Sequence, residues 1–521
     1  MLHASRTIAG LFCATALAGV AGLPGTAAAC TAGTDADGTP TLSCDALRDE
    51  QLRNAVDDTR VTVTPDGRIV TPGDNAIDLR GNNQILINLG LIEGRDDSDA
   101  VRARGNDLTI ENSGTMIGDD RGIRLNGGET GFVLRNFEDG VINSTRQAVR
   151  LDNELIRDNN LIENCGLIES SLGRAIQSRG ANTTVINHGT LRGGEEVVEG
   201  RLDFHVVNHG LIALNGLDWD AVTRTWTNSG ATDDEDGVQF SSGTVQNFGV
   251  ILATDDGVDI DQGLVHNHTT GVIVSAGDDS LRDAAAVDID EVLQIPLLGG
   301  DERFETPGRV TIVNEGYMEG PRAVAADIDA PQPVDIVNTG TMVGRSGIAI
   351  DLAPGQGDTS ITLKDGSVIN GDILFGGGGV NTLILGPFSD GASFGGTVSA
   401  RGGAPVVALA GMGGGFGTHS EVAQAGFDVE FGDGLGLDQF RGVLNRGERL
   451  DLWLAAGDGQ IDFSFLGADN FRFGGQSFDQ DGFVTFFRES GVNVIPLPAA
   501  GWLLLGGLGA LAALRGRRRA A

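Results

Sequence analysis

The densest store of chemistry in this chain is carboxylate. Asp255-Asp256-Gly257-Val258-Asp259-Ile260-Asp261 follows Asp233-Asp234-Glu235-Asp236 and precedes Asp278-Asp279 and Asp288-Ile289-Asp290. Carboxylate oxygens are hard donors that suit calcium, so Asp256, Asp259 and Asp261 are a candidate metal set, with calcium as the one cofactor to consider. The competing reading is a solvated acidic surface, which is commoner.

Other chemistries are less well specified. His188 and His209 share one slot of a repeating phrase, with His205, His266 and His268 nearby, and a column of imidazoles suits a transition metal. That slot also takes Leu89, Ser113, Phe137, Cys165, Ser229, Phe248, Glu315 and Thr339, which reads as an exposed turn tolerant of any side chain. A polysaccharide lyase would need carboxylates for calcium or uronate plus an Arg, Lys or Tyr base. Asp259, Asp261 and Arg282 are on offer, but Lys364 is the one lysine and Tyr317 the one tyrosine. A hydrolase would need two carboxylates at a set separation, and no motif singles out a pair. No catalytic residue is assigned. Gly376-Gly377-Gly378-Gly379-Val380-Asn381-Thr382-Leu383-Ile384 approaches a calcium nonapeptide with Asn381 in place of Asp, and its single copy reads as a glycine-rich turn.

What must position these groups is a repeat. An apolar pair, then Asn, any residue and Gly, recurs as Ile87-Asn88-Leu89-Gly90, Ile186-Asn187-His188-Gly189, Val207-Asn208-His209-Gly210 and Val337-Asn338-Thr339-Gly340. Its asparagines fall at 88, 112, 136, 164, 187, 208, 228, 247 and 267, then at 314 and 338. The gap between Asn267 and Asn314 is about two periods, which predicts one coil without its Asn. A second phrase lies between, as in Gln147-Ala148-Val149-Arg150-Leu151 and Asp256-Gly257-Val258-Asp259-Ile260. Two short alternating strands per period, rich in β-branched residues, exclude a helical repeat and predict a β-solenoid. Asn and Gly would turn the corners in left-handed conformations. Stacking at about 4.8 Å would set Asn88, Asn112, Asn187, Asn208, Asn247 and Asn338 in a hydrogen-bonded ladder, and a dozen to fourteen coils would make a rod of roughly 60 to 70 Å.

The pattern resembles the right-handed parallel β-helix of pectin-lyase-like proteins and autotransporter-type adhesins over about residues 60 to 375. The resemblance implies an all-β fold that hosts both scaffolds and carbohydrate-active enzymes.

The rest of the chain frames that rod. Its 521 residues include 72 acidic and 36 basic ones, a formal charge of −36. So acidic a surface excludes nucleic acid as a partner and suits a salty or cation-rich exterior. Residues 1–29 read as a signal peptide cut after Ala27-Ala28-Ala29, with Ala27 and Ala29 the small residues of the cleavage site. Cys30 and Cys44 then suit a disulfide in an exported chain, and Cys165 reads as an unpaired thiol. Residues 30–84 form a cap, 85–375 the β-helix, and 376–490 a β-rich segment, either a small sandwich or a degenerate continuation of the coils. A loop is expected between Asp278 and Pro307.

Residues 491–521 hold Ile495-Pro496-Leu497-Pro498-Ala499, an apolar run to Leu514 with the length of a single transmembrane helix, and Arg515, Arg517, Arg518 and Arg519. This layout resembles the VPLPA-CTERM variant of PEP-CTERM sorting signals, with Ile495 in place of Val. The resemblance implies an exosortase-like membrane protease as partner, transient residence in the cytoplasmic membrane, and delivery to the cell surface or beyond. The combined expectation is an exported structural or adhesive protein of the envelope or matrix that contacts exopolysaccharide or surface glycans. The alternative is a polysaccharide lyase or hydrolase on the same fold.

Overall fold

The computed structural model describes residues 29–126, 130–152, 159–231, 234–279, 284–290, 308–328, 330–364 and 366–376, and strands between 381 and 431. The expected signal peptide up to Ala28, Arg282, most of the expected loop between Asp278 and Pro307, and the whole of the expected sorting signal with Ile495 to Ala499 and Arg517 to Arg519 lie outside these residues. Among the described residues there is no helix, and none long and apolar enough to cross a membrane.

The chain is a parallel β-solenoid of about 12 turns. Each coil lays down three short strands, and each strand pairs in parallel with its equivalent one coil away. The first face carries the ladder strands, such as Ile85–Asn88, Thr109–Asn112 and Thr183–Asn187. The second carries Leu91–Arg95, Thr115–Gly118 and Thr190–Gly193. The third carries Ile77–Leu79, Val101–Ala103, Ile123–Leu125 and their successors. Alternation sends every second side chain inward. Three aliphatic columns therefore fill the interior, exemplified by Leu86, Ile110 and Leu134 on the first face, Ile92 and Ile142 on the second, and Val101 and Ile123 on the third, almost all fully buried. Burying one such side chain contributes about 1.5–3 kcal/mol.

At the N-terminal end, Cys30–Thr34 runs antiparallel to Pro40–Cys44, which itself pairs in parallel with Arg60–Val63 of the next coil. The Cys30–Cys44 disulfide ties this pair together over the open edge of the stack. Toward the other end, Thr359–Leu363 pairs in parallel with Asn381–Leu385, and that strand with Val406–Leu409. Of the two readings of this region, the start of it continues the coils; residues 432–490 lie outside the described residues.

The asparagine ladder is continuous. From Asn88 through Asn112, Asn136, Asn164, Asn187, Asn208, Asn247, Asn267 and Asn314 to Asn338, each Nδ2 donates to the next Oδ1 at 2.8–2.9 Å. Spare donor capacity goes to a backbone carbonyl past the corner, as from Asn208 Nδ2 to Val250 O at 3.1 Å. Spare acceptor capacity takes the amide two residues on, as from Gly210 N to Asn208 Oδ1 at 3.2 Å.

Four expectations are corrected here. Asn267 bonds directly to Asn314, so no coil between them has lost its Asn; the extra residues are an insertion within one coil. Asn228 is not a rung, because Asn208 pairs with Asn247 and the intervening residues leave the coil as an antiparallel hairpin of Leu217–Asp220 and Thr225–Asn228. The left-handed corner is also elsewhere. It is the turn into the first face, where Asp58, Asn83, Asp107, Gly131, Asn159, Asn182 and Asp203 have φ between 45° and 74°. Gly in the Asn-x-Gly phrase answers to close approach instead: a Cβ on Gly210 would sit 2.0 Å from the carbonyl oxygen of Gly189 one coil below. Finally, Cys165, half-buried in its turn slot, is disulfide-bonded and not a free thiol.

The ladder predicts unequal costs for two similar substitutions. Asn208→Ala orphans buried partners on both neighbouring coils and should lose about 1–3 kcal/mol for each group left unpaired. Asn228→Ala, on the exposed hairpin, should lose no more than about 1 kcal/mol. Guanidinium unfolding of the two variants beside the parent measures the difference.

Candidate functional site

The third face is where charge collects, and the stack dictates how. Its strands present one outward residue at the centre, and parallel register aligns these as Asp78, Arg102, Arg124, Arg150, Gln177, Glu199, Gln239, Asp259 and Asp288. After Asp78 the column thus runs from basic to acidic along the rod.

The basic half is neutralised locally. Asp78 holds Arg80 at 2.5 Å and Arg104 at 3.5 Å, and Asp152 holds Arg124 at 2.9 Å and Arg150 at 2.5 Å. Arg174 gathers Glu195 and Glu196, each at 2.5 Å, together with Glu199.

Past Arg174 the balance changes. Asp236, Asp256, Asp259, Asp261 and Asp288 are all at least nine-tenths buried, with relative exposures of 8%, 7%, 7%, 4% and 5%. Two of them cap backbone. Asp236 Oδ1 accepts from Asp256 N at 3.0 Å, and Asp256 Oδ1 accepts from Ala285 N at 2.7 Å. The same position serves this purpose early in the rod, where Asn75 Oδ1 accepts from Asp99 N at 3.0 Å. Asp259 Oδ2 accepts from Gln239 Nε2 at 2.7 Å, whereas Asp259 Oδ1 and Asp288 Oδ1 are buried without a hydrogen-bond donor.

The structure divides the three expected metal ligands between two clusters. Asp256 groups with Asp236 and Asp255, and Asp259 and Asp261 group with Asp290; within each group one donor oxygen per residue lies within 4.8 Å of the others. Burial pushes Asp256, Asp259 and Asp288 well above the usual carboxylate range, and neighbouring aspartates push further in the same direction. Burial likewise raises Asp236 to about 7, helped by Asp255 and Glu196 and opposed by the Asp256 amide. Charges arranged this way repel one another and favour either protons or a hard divalent cation between them.

The structure sharpens one feature of the sequence and adds another. The histidine slot forms a stack: His188 on His209 at 4.7 Å, His209 on Phe248 at 4.6 Å, and Phe248 on His268 at 3.7 Å between ring centroids. Ser229 is absent from it because it follows Asn228 out of the coil. The hairpin, in turn, lies over the second face and pairs Trp219 with Trp226. Trp226 Nε1 donates to Glu319 at 3.4 Å, the Arg345 guanidinium sits 5.6 Å from the Trp226 ring centre, and Tyr317 donates to Glu319 at 2.5 Å. Half-buried indoles beside a carboxylate and a guanidinium suit the faces and hydroxyls of sugar rings. The alternation around Trp219 and Trp226, separated by a short polar turn, is the hairpin signal that the sequence contained.

The acidic clusters set a pH dependence. A carboxyl whose folded pKa lies above its unfolded value is protonated more readily in the folded chain, so stability falls as pH rises from its ordinary 3.8 toward about 7 for Asp236. In chelator, thermal unfolding should therefore occur at lower temperature at pH 8 than at pH 5. Calcium should reverse the loss, and Asp259→Asn should raise stability in chelator by about 1–3 kcal/mol while blunting the calcium response. Melting curves at both pH values, with calcium and with chelator, check all three. Comparison with known proteins finds no matching family model, no matching curated protein and no matching solved structure.

Proposed function

We propose that this chain is an exported, non-enzymatic rod of the cell surface or extracellular matrix that holds polysaccharide through divalent cations on its third face. The observation that carries this reading is the pair of buried, donorless oxygens at Asp259 Oδ1 and Asp288 Oδ1, on neighbouring coils of one acidic column. A cation placed between such carboxylates offsets their repulsion and keeps coordination positions for the uronates or sulfates of a polymer. A rigid face repeating at the strand spacing of about 4.8 Å presents these positions in a line, which suits an extended chain better than a compact substrate. The Trp219–Trp226 hairpin on the adjacent face supplies stacking surface for neutral sugars.

Export is part of the same reading. It rests on the signal-like N-terminus, the Cys30–Cys44 disulfide, which persists in oxidising compartments, and the sorting-signal-like segment at Ile495 to Ala499. In this account the coil is right-handed, the segment past Ala499 is a membrane helix, and an exosortase-like protease removes it.

Incubating the full chain with acidic and neutral polysaccharides, in calcium and in chelator, tests the proposal. Acidic polymer should be retained intact in calcium and released by chelator, and the Asp259→Asn, Asp288→Asn double variant should lose retention. Shortened polymer would instead establish a lyase or hydrolase on the same fold.

A further inference from the structure

A second metal site, of different chemistry, lies on the first face. His266 and His268 flank Asn267, the last residue of the strand Val258–Asn267, and since Asn267 points inward as a fully buried rung, both imidazoles leave on the outer side. Their ring centroids are 3.7 Å apart. One coil further, Asn314 pairs with Asn267, which sets the next residue, Glu315, over the histidines. His266 Nε2 lies 3.5 Å from Glu315 Oε1, and one donor atom from each of His266, His268 and Glu315 falls within 4.8 Å of the other two. Both Nε2 atoms are withdrawn from solvent and lack a hydrogen-bond partner.

We propose that His266, His268 and Glu315 bind a divalent transition-metal ion of the zinc or copper type. Two imidazole nitrogens and one carboxylate are the donors of open zinc sites, whose fourth position is left to water or an incoming ligand. The surroundings hold the donors in place. Phe248 lies flat beneath His268, with an interplanar angle of 8°, and closes that side. Thr269 Oγ1 donates to Glu315 Oε2 at 3.3 Å, turning the other oxygen toward His266. Nothing in this set resembles the all-oxygen acidic clusters of the third face, so the two sites should sort cations by hardness.

The test is titration of the full chain with Cu²⁺ followed by electron paramagnetic resonance, and with Zn²⁺ followed by calorimetry. One copper per chain with two nitrogen donors is expected, able to displace bound zinc and unaffected by excess calcium. His268→Phe keeps a ring against Phe248 but removes a ligand, so it should weaken binding on the order of 100-fold without lowering the melting temperature of the metal-free chain. The Asp259→Asn, Asp288→Asn variant should retain the copper signal in full. An unchanged copper spectrum and zinc affinity in both His268→Phe and His266→Asn would overturn the proposal, as would the absence of stoichiometric binding to the parent chain.

Discussion

The side-chain amide of a buried asparagine has two donors and two lone-pair acceptors, and leaving any of them unmatched in a dry interior costs free energy. In this rod the side-chain partner at the right place is the same amide one coil away. Ten asparagines from Asn88 to Asn338 meet the requirement collectively, each taking its bonds from its neighbours and from the corner backbone. Coil-to-coil register follows, because a slip of one residue would break every rung and turn the aliphatic columns outward. The constraint acts on the coil, not on chain length. Thirty-nine residues separate Asn208 from Asn247 and 47 separate Asn267 from Asn314, yet both pairs bond at ordinary distances. Between Asn208 and Asn247 the inserted residues leave the coil as the tryptophan hairpin.

Stacking in register also concentrates chemistry. Residues that are distant in sequence but equivalent in the coil become neighbours, so a gradual change in composition along the chain becomes a gradient of charge along a face. On the third face most of the arginines from Arg80 to Arg174 are spent on nearby carboxylates, Arg102 donating instead to Asn126, and beyond them Asp236, Asp256, Asp259 and Asp288 share one acidic neighbourhood. Buried carboxylates crowded in this way destabilise the coil unless they are protonated or bridged by a cation. The same geometry gathers His266, His268 and Glu315 on a different face. One architecture therefore carries a buried acidic region and an imidazole–carboxylate cluster without either disturbing the ladder that aligns them.

Much of this was legible in the residues. The Asn-x-Gly phrase and the alternation around it are local patterns, so the solenoid, the ladder and its inward asparagines could be read directly. The pairing across long insertions could not, because Asn228 matches the phrase at a plausible spacing and only register shows that its strand pairs antiparallel with its own hairpin partner. The corner chemistry was misplaced for a related reason: Asn and Gly adopt left-handed backbone readily, but here Asn208 is retained for its amide and Gly210 for its missing Cβ. Among the acidic residues, sequence marked Asp256, Asp259 and Asp261 as a group. It could not show that Asp256 faces Asp236 while Asp259 aligns with Asp288, since that depends on which coil lies above which.

Hydrogen exchange read by mass spectrometry is the most direct measurement of the central claim, that cation and polymer meet on the third face. With the full chain, acidic polysaccharide and calcium together, protection should rise in segments covering Asp236 to Gln239, Asp256 to Asp261 and Ala285 to Asp290, and should vanish with chelator. Protection confined to the first-face turns, or unchanged by calcium, would contradict it.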